Sequence, residues 1–170
     1  MKKTVTLIVV LLVVIVAVTA YLNRGDLAEK QELQEEAQII FTVNGDETAR
    51  FNLAEIKEMG EVNFNKELDT SETGPEEQSF TGVLLKNVID AAGITLQDKQ
   101  QVIVKAVDGY TVALTADEVQ AEDNVYLIYM NNGEFLKPKS EGGTGPYRIV
   151  IKEDQFGQRW CKFITEVELK

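Results

Sequence analysis

The stretch Gly142–Lys170 reads GGTGPYRIVIKEDQFGQRWCKFITEVELK, and the fold is decided there. A glycine-rich turn, Gly142-Gly143-Thr144-Gly145, leads through Pro146 into Tyr147-Arg148-Ile149-Val150-Ile151. A short apolar run bounded by turn residues is the pattern of a buried strand. Asp154–Gly157 forms the next turn, and Trp160–Ile164 and Val167–Leu169 are further strand-like pieces. Glycines at 142, 143 and 145 let the backbone approach a neighbour or a ligand where a Cβ would clash.

Upstream, the same alternation of strand and turn continues. Ile39–Val43 and Glu47–Phe51 flank Asn44-Gly45, a tight-hairpin dipeptide. Asn52 with Glu55 three residues on predicts a capped helix over Leu53–Met59, stopped by Gly60. Val62–Leu68 reads as a strand and Asp69–Gln78 as a polar loop broken at Gly74-Pro75. After Phe80-Thr81-Gly82, the residues Leu84, Leu85, Val88, Ile89 and Ala92 share one helical face, closed by Gly93. Val102–Val107 and Tyr110–Leu114 form a hairpin at Asp108-Gly109, followed by a second capping box at Thr115 and Glu118. Val125–Met130 is a buried strand ending at the turn Asn131-Asn132-Gly133. Strands outnumber short helices, so the fold class is α+β, a strand-rich mixed-sheet domain over residues 39–170.

The N-terminus differs in kind. Lys2 and Lys3 precede the apolar run Val5–Ala20, the pattern of an export signal. Val18-Thr19-Ala20 offers a cleavage site; extension through Leu22 gives enough length for an anchor. Residues 1–22 are therefore expected to be a signal peptide or membrane anchor, and residues 23–38 an acidic helical spacer. The domain is then extracytoplasmic, anchored to the membrane or secreted.

Composition removes several classes of function. The chain has 170 residues, a formal charge of −11 and no histidine. That balance disfavours nucleic acid as a partner, because phosphate binding needs clustered Lys and Arg. One cysteine, Cys161, excludes an internal disulfide and a cysteine-clustered metal site. Without histidine, Ser71, Ser79 and Ser140 cannot form a Ser-His-Asp triad. The pairs Glu76-Glu77, Asp117-Glu118 and Glu122-Asp123 read as solvated faces, and Gly142–Gly145 lacks the Gly-Lys-Ser/Thr ending of a P-loop. No catalytic or metal-ligating residue is expected.

Four blocks in order carry a resemblance. They are Phe41–Phe51 with its helix, Phe80-Thr81-Gly82 through Ala92-Gly93-Ile94, Asp108-Gly109-Tyr110, and Gly145-Pro146-Tyr147-Arg148 through Lys162-Phe163-Ile164. Together they resemble the molybdopterin-binding domain of the sulfite oxidase family of oxidoreductases. The resemblance implies a cysteine thiolate on molybdenum, in or just after the segment that here reads Val62-Asn63-Phe64-Asn65-Lys66-Glu67-Leu68. It also implies histidines that help hold the pterin, and a glycine loop near the cofactor pocket. Neither a cysteine in that segment nor any histidine is present, and a carboxylate such as Glu67 is a poor substitute for a soft thiolate. Cys161 reads as a small buried hydrophobe.

No cofactor is expected, molybdopterin being the family alternative. The pocket candidates are Lys66, Glu67, Tyr110, Tyr147 and Arg148, which the family layout sets around one mouth. Arg148 alternates with Tyr147 and Ile149 and, if buried, must find an acid, with Asp108 or Glu67 within reach. Three functions follow: a molybdenum-free binding or interaction module, a pterin-dependent oxidoreductase with an atypical ligand set, or a small anionic-ligand-binding protein reusing the pocket. The partners implied are a membrane through the N-terminal helix, and a protein or small anion.

Overall fold

The computed structural model describes Thr6 and residues 10–19, 37–70 and 74–170. Residues 10–19 are helical, and no helix among the described residues is long and apolar enough to cross a membrane. The rest of the expected signal or anchor, and residues 23–36 of the acidic spacer, lie outside the described residues. A separate compact unit spans Glu36–Lys170.

This unit holds two five-stranded sheets. The first runs β2 (Asp46–Phe51), β1 (Ile39–Val43), β10 (Ile164–Leu169), β5 (Gln101–Ala106) and β6 (Thr111–Thr115). β1 and β10 are parallel, which ties the first strand of the domain to the last; the other neighbours are antiparallel. The second sheet runs β3 (Val62–Thr70), β4 (Gly74–Leu84) and β7 (Val125–Asn131). β8 (Glu134–Phe135) and β9 (Arg148–Ile151) share the far edge of β7. Both sheets and the helices α1 (Leu53–Lys57), α2 (Leu85–Ala91) and α3 (Ala116–Gln120) feed one apolar core that includes Phe41, Leu85, Leu127 and Val167. The domain is thus strand-rich α+β, as expected.

Local chemistry explains several boundaries. Both capping boxes form: Asn52 accepts from the Glu55 N–H while Glu55 reaches back to the Asn52 N–H, and Thr115 and Glu118 do the same. Val125 to Tyr129 are buried without alternation because both faces of β7 are covered.

Two expectations are corrected, and one segment left unassigned is placed. Asp69–Gln78 is not a loop: β3 continues to Thr70 and β4 starts at Gly74, in a long hairpin whose polar residues hide any apolar period. Pro75 is tolerated because it sits at the start of β4, where a missing N–H breaks no inner ladder. Phe80-Thr81-Gly82 is strand, with a register shift between Thr81 and Gly82. A Cβ on Gly82 would lie 2.4 Å from the Leu127 carbonyl oxygen, so glycine admits the close approach of β7. Finally, Trp160–Phe163 is not a strand; a 3-10 turn at Gly157–Arg159 leads into an irregular segment, and β10 begins at Ile164. Trp160 and Cys161 both donate their N–H groups locally, to Gly157 and Arg159, and so leave no ladder to form.

Candidate functional site at Arg148 and Trp160

Arg148 opens β9 opposite Ile128 and is buried, with 5% of its surface exposed. Neither expected acid pairs with it. Asp108 is taken by Lys139 at 2.9 Å, and Glu67 lies on the exposed outer strand opposite Glu77. The Arg148 guanidinium instead lies 5.3 Å from the centre of the Trp160 ring, and its Nε has no hydrogen-bond partner. Burial alone lowers its pKa to about 10. A desolvated cation–π contact offers about 2 kcal/mol, against a desolvation cost of several kcal/mol. Among the described residues the charge is therefore undercompensated.

Trp160 is buried too, and its Nε1 likewise lacks an acceptor. Its ring meets Phe80 edge-on at 5.9 Å. The segment carrying it is fastened on several sides. Arg159 donates to Glu118 Oε1 at 2.7 Å and forks onto both Asp154 oxygens. Burial alone would raise the Glu118 carboxyl, yet hydrogen bonds from Thr115 and Arg159 hold it below its ordinary range. Tyr110 OH donates to the Gln158 carbonyl at 3.1 Å, and Ile149 N donates to the Cys161 carbonyl at 2.8 Å.

The remaining candidates scatter. Tyr110 is exposed beside the β5–β6 turn. Tyr147 is fully buried, its hydroxyl donating to the Ala37 carbonyl at 2.8 Å, with its pKa raised by burial. Lys66 and Glu67 stand on β3, opposite Gln78 and Glu77. Tyr110 and Arg148 both meet the Gln158–Trp160 segment. Their neighbour Leu68 faces inward, toward Gly157. The glycine loop serves packing: Cβ atoms on Gly143 and Gly145 would fall 2.0 and 2.2 Å from the carbonyl oxygens of Lys137 and Leu136. Trp160, absent from the sequence-derived set, had no signal beyond being an aromatic near Arg148.

A family model described as oxidoreductase molybdopterin binding domain matches residues 28–170. The chain belongs to this family. Among solved structures, the sulfane dehydrogenase SoxCD from Paracoccus pantotrophus aligns with TM-score 0.65 at 13% identity. The alignment covers 80% of this chain but 38% of that one, so the likeness concerns the domain fold alone. No curated protein matches.

Members of this family normally hold molybdopterin, and the residues here fit the metal poorly. Cys161 is the sole thiol; it is fully buried, its Sγ directed at the Lys162 carbonyl 3.7 Å away. Burial, helped by the Asp108 charge, pushes its pKa up to about 11, so it stays a neutral thiol at pH 7. Among the described residues, no three His, Cys, Asp or Glu side chains are grouped to hold a metal. The donor set lacks the thiolate that a soft metal requires.

Proposed function

We propose that this chain is an extracytoplasmic member of the molybdopterin-binding domain family that works without molybdenum, as a binding or interaction module. The observation that carries this reading is the state of the thiol. The β3 segment where the resemblance puts the metal ligand offers Asn, Lys and Glu, and Cys161 is locked as a buried neutral thiol elsewhere. The N-terminal lysines and apolar run support delivery across a membrane, whether the segment is then cleaved or kept as an anchor.

A second reading, a receptor for a small anionic ligand, is favoured by Arg148. Buried charges are normally paired, and among the described residues no acid forms an ion pair with this one. The dehydrogenase activity in the name of the structural relative is not carried over, since this chain spans little more than a third of that protein.

Metal analysis decides the main reading. Protein purified from a host that makes the pterin cofactor is expected to carry molybdenum far below one atom per chain. Stoichiometric molybdenum would establish the oxidoreductase alternative instead. Lys66→Cys, Glu67→Cys and Leu68→Cys test whether a lost ligand can be restored. Leu68→Cys is the most informative, because that side chain alone of the three is buried.

A further inference from the structure

Among the described residues, three buried side-chain polar atoms lack a hydrogen-bond partner: Asn131 Oδ1, Arg148 Nε and Trp160 Nε1. Two of these are N–H donors on side chains in contact, with the guanidinium 5.3 Å from the indole centre. Each of these buried, unused donors lacks its acceptor. The guanidinium offers a planar fork suited to phosphate, sulfate or carboxylate oxygens.

We infer that Trp160 is a built-in plug: its indole occupies the place where an oxyanion-bearing ligand meets Arg148, and ligand binding swings it out. This rests on the anionic-ligand reading above and adds how the site is controlled. The indole suits the role because it shields the cation through its ring face without neutralising it. A carboxylate at that position would form a permanent ion pair and close the site to any outside anion.

The segment holding the plug has the fastenings a gate needs. Residues 157–159 form a 3-10 turn, and the Trp160 N–H closes that turn on the Gly157 carbonyl. Gly157 lies against both the Trp160 ring and Leu68; a Cβ there would approach Leu68 Cδ1 to 2.6 Å. The segment is tied down from outside by Arg159, through Asp154 and Glu118, and by the Tyr110 hydroxyl on Gln158. These ties lie at the surface of the domain, with Arg159 and Tyr110 partly or well exposed. They can therefore exchange for water at small cost, whereas the Arg148 charge beneath cannot. Opening is driven by the anion, which supplies the acceptor that Arg148 lacks, while the displaced Trp160 N–H gains water as its acceptor.

Trp160 is the sole tryptophan, so its emission reports the plug directly. The full chain is titrated with inorganic phosphate, and separately with sulfate and acetate, while acrylamide quenching of Trp160 is measured. Quenching is expected to be weak without anion and to rise saturably with phosphate or sulfate. Trp160→Ala, followed by calorimetry, is expected to bind phosphate at least about tenfold more tightly than the wild type. Adding Arg148→Gln to that variant is expected to abolish binding. Trp160→Leu, which keeps apolar volume over the site, serves if the alanine variant does not fold. Quenching that ignores anions, together with Trp160 variants binding no more tightly than the wild type, would overturn the plug. Binding that persists without Arg148 would overturn the site itself. Molybdenum content, measured on the same samples, reports separately on the metal-free reading, so the two can fail independently.

Discussion

Arg148 and Cys161 set the chemistry at the scale of single residues. An arginine held in an ion pair loses about 3 kcal/mol or more when truncated, because its acid is left buried and alone. Among the described residues Arg148 meets no such acid, and its guanidinium lies over the Trp160 ring. Arg148→Met should therefore be neutral or stabilising by up to about 2 kcal/mol in urea unfolding. A loss of about 3 kcal/mol would reveal a structural ion pair. Cys161 behaves as an apolar core residue, so Cys161→Ala should cost on the order of 1 kcal/mol. Native protein should react with a thiol reagent only as fast as it opens, since the sulfur is buried and its pKa is raised to about 11 by that burial. Prompt labelling at pH 8 would contradict this.

Among the elements, α3 does more than its five residues suggest. Its Thr115–Glu118 capping box satisfies the first turn and also aims Glu118 at Arg159, which fastens the segment over Arg148. Thr115→Ala should cost about 1 kcal/mol, seen as a lower urea midpoint, with Thr115→Ser recovering most of it. It should also raise acrylamide quenching of Trp160, a readout that loss of a cap distant from Arg159, as in Asn52→Ala, should leave unchanged. The β3–β4 hairpin is the other telling element. Pairing from Val62 opposite Gly82 to Thr70 opposite Gly74, with polar outer residues, holds a long ribbon in which apolar periodicity is nearly absent.

For the molecule as a whole, alkaline stability follows from three tyrosines. Burial is the main cause raising the pKa values of Tyr126, Tyr129 and Tyr147 above the ordinary tyrosine range, with Asp123 and Glu61 hydrogen bonds adding to it at the first two. In the unfolded chain these phenols ionise near the ordinary value of about 10. Their contribution to stability is thus complete below pH 10 and is lost as pH rises above it. Phenolate absorbance from these three should appear together with loss of circular dichroism, and Tyr147→Phe should weaken that coupling. Independence of the 39–170 domain is a further expectation. A chain starting at residue 37 should unfold cooperatively. Starting at residue 39 removes the Ala37 carbonyl that accepts from the buried Tyr147 hydroxyl. That should cost about 1–3 kcal/mol, recoverable by Tyr147→Phe.

The sequence by itself determined the short-range features and the class of fold. Asn52 with Glu55, Thr115 with Glu118, Asp108-Gly109 and the apolar run at Val125 act within a few residues, so local chemistry suffices to read them. It also determined that no cysteine stands in β3 to meet a metal. Tertiary structure alone decided which strands are neighbours, such as β1 beside β10, and that Arg148 pairs with neither Asp108 nor Glu67. Pairing across more than a hundred residues leaves no periodic trace in either partner. Asp108 was within reach on paper, but Lys139 claims it, and Arg148 is left beneath Trp160. Trp160 was unreadable for the same reason: its meaning lies in the unpaired charge under it, and a charge becomes unpaired only when the whole chain has folded around it.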